Sequence, residues 1–163
     1  MKIRPVLSSE AEKFWEMLDQ IDHETKFMMF EPGERPRNID RLAAAIADGN
    51  PTFFVADDTE NASFAGYMLV ERGRFNRNRH SAYIVVGVKA EYQHQGVGSQ
   101  LFAQLDEWAT DNDITRLELT VMATNTNAQN LYKKFGFKVE GVKEKSLLVD
   151  GVYVDELYMA KTI

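Results

Sequence analysis

Ala82-Tyr83-Ile84-Val85-Val86-Gly87-Val88 is apolar at almost every position and rich in β-branched residues, so the chain has to be folded around it. Such a run predicts a strand buried on both faces, at the centre of a sheet. It leads through Lys89 to Gln95 into Gly96-Val97-Gly98-Ser99, after which Leu101, Phe102, Leu105, Trp108 and Ala109 recur at helical spacing. A helix start leaves backbone N–H groups unpaired and carries partial positive charge, and glycine lets an anion approach them. Gly96 and Gly98 therefore suit a pyrophosphate cradle, although a tight strand-to-helix turn accounts for two glycines equally well. Common nucleotide loops do not fit. There is no Gly-Lys-Ser/Thr, and Leu101 stands where the third glycine of the dinucleotide fingerprint belongs.

The rest of the chain supplies partners for that strand. Met1 to Val6 reads as a short strand, and Ser9 with Glu12 as a capping box for a helix carrying Phe14, Met17, Leu18 and Ile21. Glu31 to Asn38, with Pro32, Gly33 and Pro36, is a loop; Asn38 caps a second helix with Leu42, Ala43 and Ile46 that stops at Gly49. Thr52–Ala56 and Phe64–Val70 form a hairpin, Arg116–Met122 is a strand, and Ala128, Leu131, Tyr132 and Phe135 mark a last helix. Lys138–Val149 and Val152–Lys161 close the chain as strands joined at Asp150-Gly151. The expectation is one α/β domain, residues 1–163, with a mixed, mostly antiparallel sheet of about seven strands flanked by about four helices. Gly87 inside a β-branched strand predicts either a bulge that opens the sheet or a simple packing glycine.

Composition narrows the chemistry. The chain has no cysteine, which excludes disulfides, thiolate metal sites and a cysteine nucleophile. His23, His80 and His94 are scattered without ligand spacing, so no metal is expected. A net charge of −6 argues against nucleic acid, and it suits a cationic ligand as well as it suits mere solubility. No stretch approaches a membrane span or a signal peptide, so the expected location is the cytoplasm, without membrane attachment.

Gln93-His94-Gln95-Gly96-Val97-Gly98 resembles the Gln/Arg-x-x-Gly-x-Gly/Ala motif of the GNAT superfamily of acyl-CoA-dependent N-acetyltransferases. Asn125 to Phe137, read as Asn-x-x-Ala-x-x-Leu-Tyr-x-x-x-Gly-Phe, is similar to a second segment of that family, in the right order and at the right distance. The strand and helix order resembles the family along essentially the whole chain, and Asp150 to Leu157 looks, more loosely, like the polyamine and ribosomal-protein subset. Ala90 departs from the pattern, standing where many members have proline.

The resemblance implies direct transfer of the acetyl group of acetyl-CoA to a primary amine of a small molecule, peptide or protein, with polyamines, amino acids and N-termini as acceptors to consider. A non-catalytic acyl-CoA-binding sensor of the same fold is the alternative. It implies that the backbone of Val86 and Val88 pairs with pantetheine, that Val88 N–H contacts the oxyanion, and that amides of Gln93, His94, Gln95, Gly96, Val97, Gly98 and Ser99 hold the pyrophosphate. Tyr132 matches the family's general acid, against the plainer reading as a core residue. Asn125, Asn130 and Lys133 are cofactor contacts by the same analogy, Asn125 being equally a helix cap. Gln93's side chain reads as structural or solvent-facing, and His94's as a phosphate contact or an exposed bystander. Base candidates are Glu24, Glu31, Glu71, Asp155 and Glu156. Glu24, Phe30 and Glu31 are expected to line the acceptor pocket, with core packing as the other reading for at least half of the apolar residues from Phe27 to Phe30. Finally, a homodimer is expected, with the Val152–Lys161 strand as the edge a second copy covers; packing of Tyr153, Leu157, Tyr158 and Met159 on the domain's own helices is the other explanation.

Overall fold

The structure, a computed structural model, describes residues 1–163. Seven strands run β1 (Lys2–Pro5), β2 (Thr52–Asp58), β3 (Ser63–Arg72), β4 (Ser81–Val88), β5 (Arg116–Met122), β6 (Lys138–Val149) and β7 (Val152–Thr162). Four helices join them: α1 (Ala11–Glu24), α2 (Ile39–Asp48), α3 (Val97–Asp111) and α4 (Thr126–Lys134). The sheet order is β1-β2-β3-β4-β5-β7-β6. Only β4 and β5 are parallel, because α3 carries the chain across the sheet between them. The mixed, mostly antiparallel α/β architecture is the one expected.

Helices cover both faces. Phe102, Leu101 and Leu105 of α3 with Tyr132 of α4 pack on Met68, Ile84, Leu117 and Leu119. Phe14, Met17, Leu18 and Ile21 of α1 pack on Phe53, Val55 and Tyr67 of the opposite face. β4 is central, but its burial on both faces holds only in part. Ala82 and Ile84 are buried, whereas Val85 to Val88 are half-exposed.

Three local expectations are corrected. Ser9 and Glu12 form no capping box: Glu12 pairs with Arg37, and Glu10 instead accepts from Leu7 N–H at 3.3 Å while both its oxygens hold Arg4. The entry of α1 is thus fixed by an ion cluster that continues to Asp57 of β2. At Gly87 the β3–β4 register runs without a shift, so there is no bulge. A Cβ there would stand 2.8 Å from Tyr67 Cε1; Gly87 is a packing glycine that admits the Tyr67 ring. The C-terminal strand β7 is not an edge, since it lies between β5 and β6. Its Met159 is buried in the core and Leu157 packs against it, leaving Tyr153 and Tyr158 exposed. Asn38 does cap α2, accepting from Arg41 N–H at 3.0 Å. No helix is long and apolar enough to cross a membrane.

Candidate active site

The sheet comes apart where β4 and β5 meet. They pair only from Ser81↔Arg116 to Tyr83↔Glu118. Beyond that point β4 stays with β3 as far as Val88↔Gly66, and β5 stays with β7 as far as Met122↔Glu156. Each strand keeps its other neighbour and leaves the shared one. The last link across is a side-chain bond, Tyr83 Oη to Thr120 Oγ1 at 2.9 Å.

Backbone groups of β4 line this opening. In an antiparallel ladder alternate residues turn their N–H toward the same neighbour. Lys89 N–H is spent on Ala65 O of β3, so those of Val88 and Val86 turn the other way, into the gap. Gln93 Nε2 reaches back to Val88 O at 3.3 Å, which makes the Gln93 side chain a structural tie.

The opening leads to a run of free amides. The N–H groups of His94, Gln95, Gly96, Val97, Gly98 and Ser99 donate to no protein acceptor, whereas that of Gln93, expected among them, is spent on Ala90 O at 3.2 Å; the first bond of α3 is Gln100 N–H to Gly96 O at 3.1 Å. His94 and Gly96 are both left-handed, with φ of 60° and 80°, and such alternation turns successive N–H groups to one concave side, a ready anion site. His94 therefore contributes its backbone, while its imidazole stays exposed. Gly96 is needed for its positive φ. Gly98 has a different reason to be glycine: a Cβ would meet Leu131 Cδ2 at 2.8 Å, so its missing side chain admits α4. Its N–H remains available.

That contact docks α4 beside the amides and brings Tyr132 into the core. The ring lies 5.5 Å from that of Phe102 and is 7% exposed. Burial pushes the phenol up to about 12, with a smaller contribution from nearby Tyr83. It is thus held protonated, as a donor must be. No protein group accepts from its hydroxyl, yet no buried side-chain polar atom lacks a partner, so the hydroxyl faces accessible space. Asn125 Oδ1 caps α4, accepting from Ala128 N–H at 3.3 Å. Asn130 and Lys133 lie exposed on the same helix.

A cavity of about 440 Å³ opens between the segment after α1 and the β6–β7 hairpin, with Met122 of β5 in its wall. Glu24, Phe30 and Glu31 all line it, together with Met28 and Met29. Lys26 and Asp150 form an ion pair that ties its two walls. Sequence reasoning missed Asp22, which also lines the cavity. It is 1% exposed and takes both Arg35 Nε at 2.6 Å and Nη2 at 3.0 Å, while Arg35 lies 4.7 Å over the Phe30 ring. The signal was available: an aspartate one residue after Ile21, on the apolar face of α1.

Glu71 does not join this site; it sits beside Tyr83 in a separate depression. Asp155 and Glu156 accept from Lys145 N–H and Ser146 Oγ, holding the irregular part of β6. No cluster of three or more carboxylates and histidines is placed to hold a metal ion.

The Asp22–Arg35 pair makes a direct prediction. Removing one partner leaves the other charge buried alone, so Arg35→Met is expected to cost about 3 kcal/mol in urea unfolding. A loss below about 0.5 kcal/mol would mean the pair does not hold this wall.

Comparison with known proteins agrees with the geometry. Residues 15–137 match the acetyltransferase (GNAT) family. The chain is 34% identical over 100 residues to the L-amino acid N-acetyltransferase AaaT of Escherichia coli, covering 59% of this chain and 60% of that one. It is 27% identical to the Escherichia coli spermidine N(1)-acetyltransferase over 98% of this chain and 84% of the relative. An acetyltransferase of the GNAT family from Streptococcus pneumoniae has a TM-score of 0.92 at 26% identity, covering 99% of this chain and 98% of that one. The chain belongs to the GNAT family of acetyltransferases.

Proposed function

We propose that this protein is a cytoplasmic N-acetyltransferase that moves the acetyl group of acetyl-CoA directly to an amine, both substrates being bound together. One observation carries the reading: the open side of β4 runs straight into six free amides. An extended pantetheine arm fits the first as an added strand, and a pyrophosphate fits the second.

Transfer then needs two services from the chain. The acceptor nitrogen attacks the thioester carbon, and Val88 N–H, facing the gap, meets the charge that builds on its oxygen. As the carbon–sulfur bond breaks, Tyr132 gives its proton to the leaving thiolate. The proton lost by the amine restores the phenol through water, so the balance closes. With no cysteine in the chain, no acyl-enzyme through a thiol is available.

The acceptor enters through the cavity beside Met122. Amino acids and spermidine are the acceptors named for the relatives above, and polyamines, amino acids and peptide N-termini are the classes proposed here. Thiol release from acetyl-CoA across a panel of polyamines, free amino acids, aminoglycosides and peptides tests the proposal. Turnover with at least one amine is expected; none across the panel would leave a binding domain.

The homodimer is proposed on a different surface from the strand edge. On the side of the sheet that carries α1 and α2, Tyr83 and Tyr158 remain 37% and 44% exposed beyond the helices, which supports a second copy covering them. Light scattering should give twice 18.6 kDa, and the monomer mass would refute it.

A further inference from the structure

Glu24 ends α1 and lines the acceptor cavity, which makes it a natural candidate to take the acceptor's proton. Its carboxylate is directed elsewhere. Oε2 accepts the N–H of Ala90 at 2.7 Å and Oε1 accepts Gln20 Nε2 at 2.7 Å. Ala90 stands two residues beyond Val88 and begins the 3-10 turn Ala90–Tyr92 that leads to the free amides. The same short segment is held from the opposite side by the β2–β3 turn. There Tyr92 Oη donates to Asp58 Oδ2 at 2.8 Å and Lys89 Nζ donates to Ser63 Oγ at 3.1 Å. Its remaining backbone bonds beyond Lys89 are internal to the turn, Tyr92 N–H to Lys89 O and Gln93 N–H to Ala90 O. Two anchors from outside the segment, one from α1 and one from the β2–β3 turn, therefore join the Gln93–Val88 tie in setting where the amides lie relative to Val88.

We propose that Glu24 is a positioning residue for acetyl-CoA: acting through Ala90, it fixes the step between the strand that meets the thioester and the amides that meet the pyrophosphate, and it is not the base. This rests on the reading of those amides as the CoA site. A loop no longer held in its binding conformation has to be ordered by the ligand, which weakens binding without removing any group that contacts the reacting atoms.

Glu24→Gln keeps an oxygen for Ala90 N–H, and Glu24→Ala does not. Calorimetry with CoA and steady-state kinetics with the best amine of the panel separate the roles. For Glu24→Ala, CoA affinity is expected to fall about tenfold, the scale of one hydrogen bond to a charged group, and KM for acetyl-CoA to rise alike, with kcat nearly unchanged. Glu24→Gln, which keeps the hydrogen bond but not its charge, should lose less than Glu24→Ala in CoA affinity and in KM for acetyl-CoA. Tyr92→Phe, cutting the opposite anchor, should weaken CoA in the same sense. Unchanged CoA affinity in Glu24→Ala would overturn the proposal. So would a large loss of kcat in both Glu24 variants with CoA affinity intact and the acidic limb of the pH profile gone, since that marks a base. If the wild-type protein itself fails to bind CoA, the cradle reading falls first, and this proposal with it.

Discussion

Tyr132→Phe should lower kcat by about 100-fold or more while KM for acetyl-CoA changes little, the range expected when a positioned proton donor is removed. The substitution deletes one oxygen from a ring that stays packed against Phe102 and Phe137, so the fold and the free amides are left as they were. The donor has to be protonated when the thiolate departs. Burial disfavours the phenolate and raises the group from its usual value near 10 to about 12. Because the shift is upward, the phenol remains a donor throughout the neutral and mildly alkaline range. Alkaline loss of activity through Tyr132 should begin only as pH approaches 12. A thiolate whose conjugate thiol has a reference value near 8.5 is a weaker base than the phenolate, so in bulk water proton transfer from the phenol is uphill. Burial of Tyr132 widens that gap, so the transfer requires that the thiolate be desolvated beside it and its own proton affinity raised as well. If Tyr132→Phe turns over like wild type, the ring belongs to the core alone and water protonates the thiolate.

The elements of this fold were readable because each has its own period and punctuation. The Asn38 cap and the Asp150-Gly151 turn stood in the sequence as local chemistry, and the structure keeps both. What was not readable depends on partners distant in the chain. The sequence order of β6 and β7 suggests that the last strand is the edge, but nothing local says that β7 inserts between β5 and β6. Likewise the start of α1 is set by Arg4 and Asp57, and a local capping pattern at Ser9 could not compete with them. Gly87 was correctly marked as unusual, yet its cause is a Tyr67 ring from the neighbouring strand. The opening of the sheet comes from β4 and β5 each following its other neighbour, which is a property of the pairing and not of one residue. In the site, motif residues fell together on one path from Val86 to Ser99. The cavity proposed for the acceptor was only half visible: the sequence reading names Glu24, Phe30 and Glu31, which line it, while the buried Asp22–Arg35 pair spans a loop whose path the sequence does not specify.

Ser99→Glu is expected to abolish measurable CoA binding, at least about a 100-fold loss, while leaving the protein as stable as wild type or slightly more so. The argument follows from its place. With Gly96 at the cap of α3, Ser99 is the third residue of the helix, where a glutamate is favoured because its carboxylate reaches back to the unpaired amides and complements the helix dipole. The substitution thus satisfies the same N–H groups that a pyrophosphate would use, and adds a negative charge beside the ligand's own. Losing several charge-assisted hydrogen bonds at about 1.5–3 kcal/mol each is sufficient for a 100-fold effect. Gly98→Glu tests the same cradle less cleanly, because any Cβ there presses on Leu131 and loosens α4 with its Tyr132. It should lose both CoA affinity and thermal stability. Calorimetric titration with CoA beside thermal melts distinguishes the two variants. Unchanged affinity in Ser99→Glu would show that the free amides of residues 94–99 do not carry the pyrophosphate, whatever holds the rest of the cofactor.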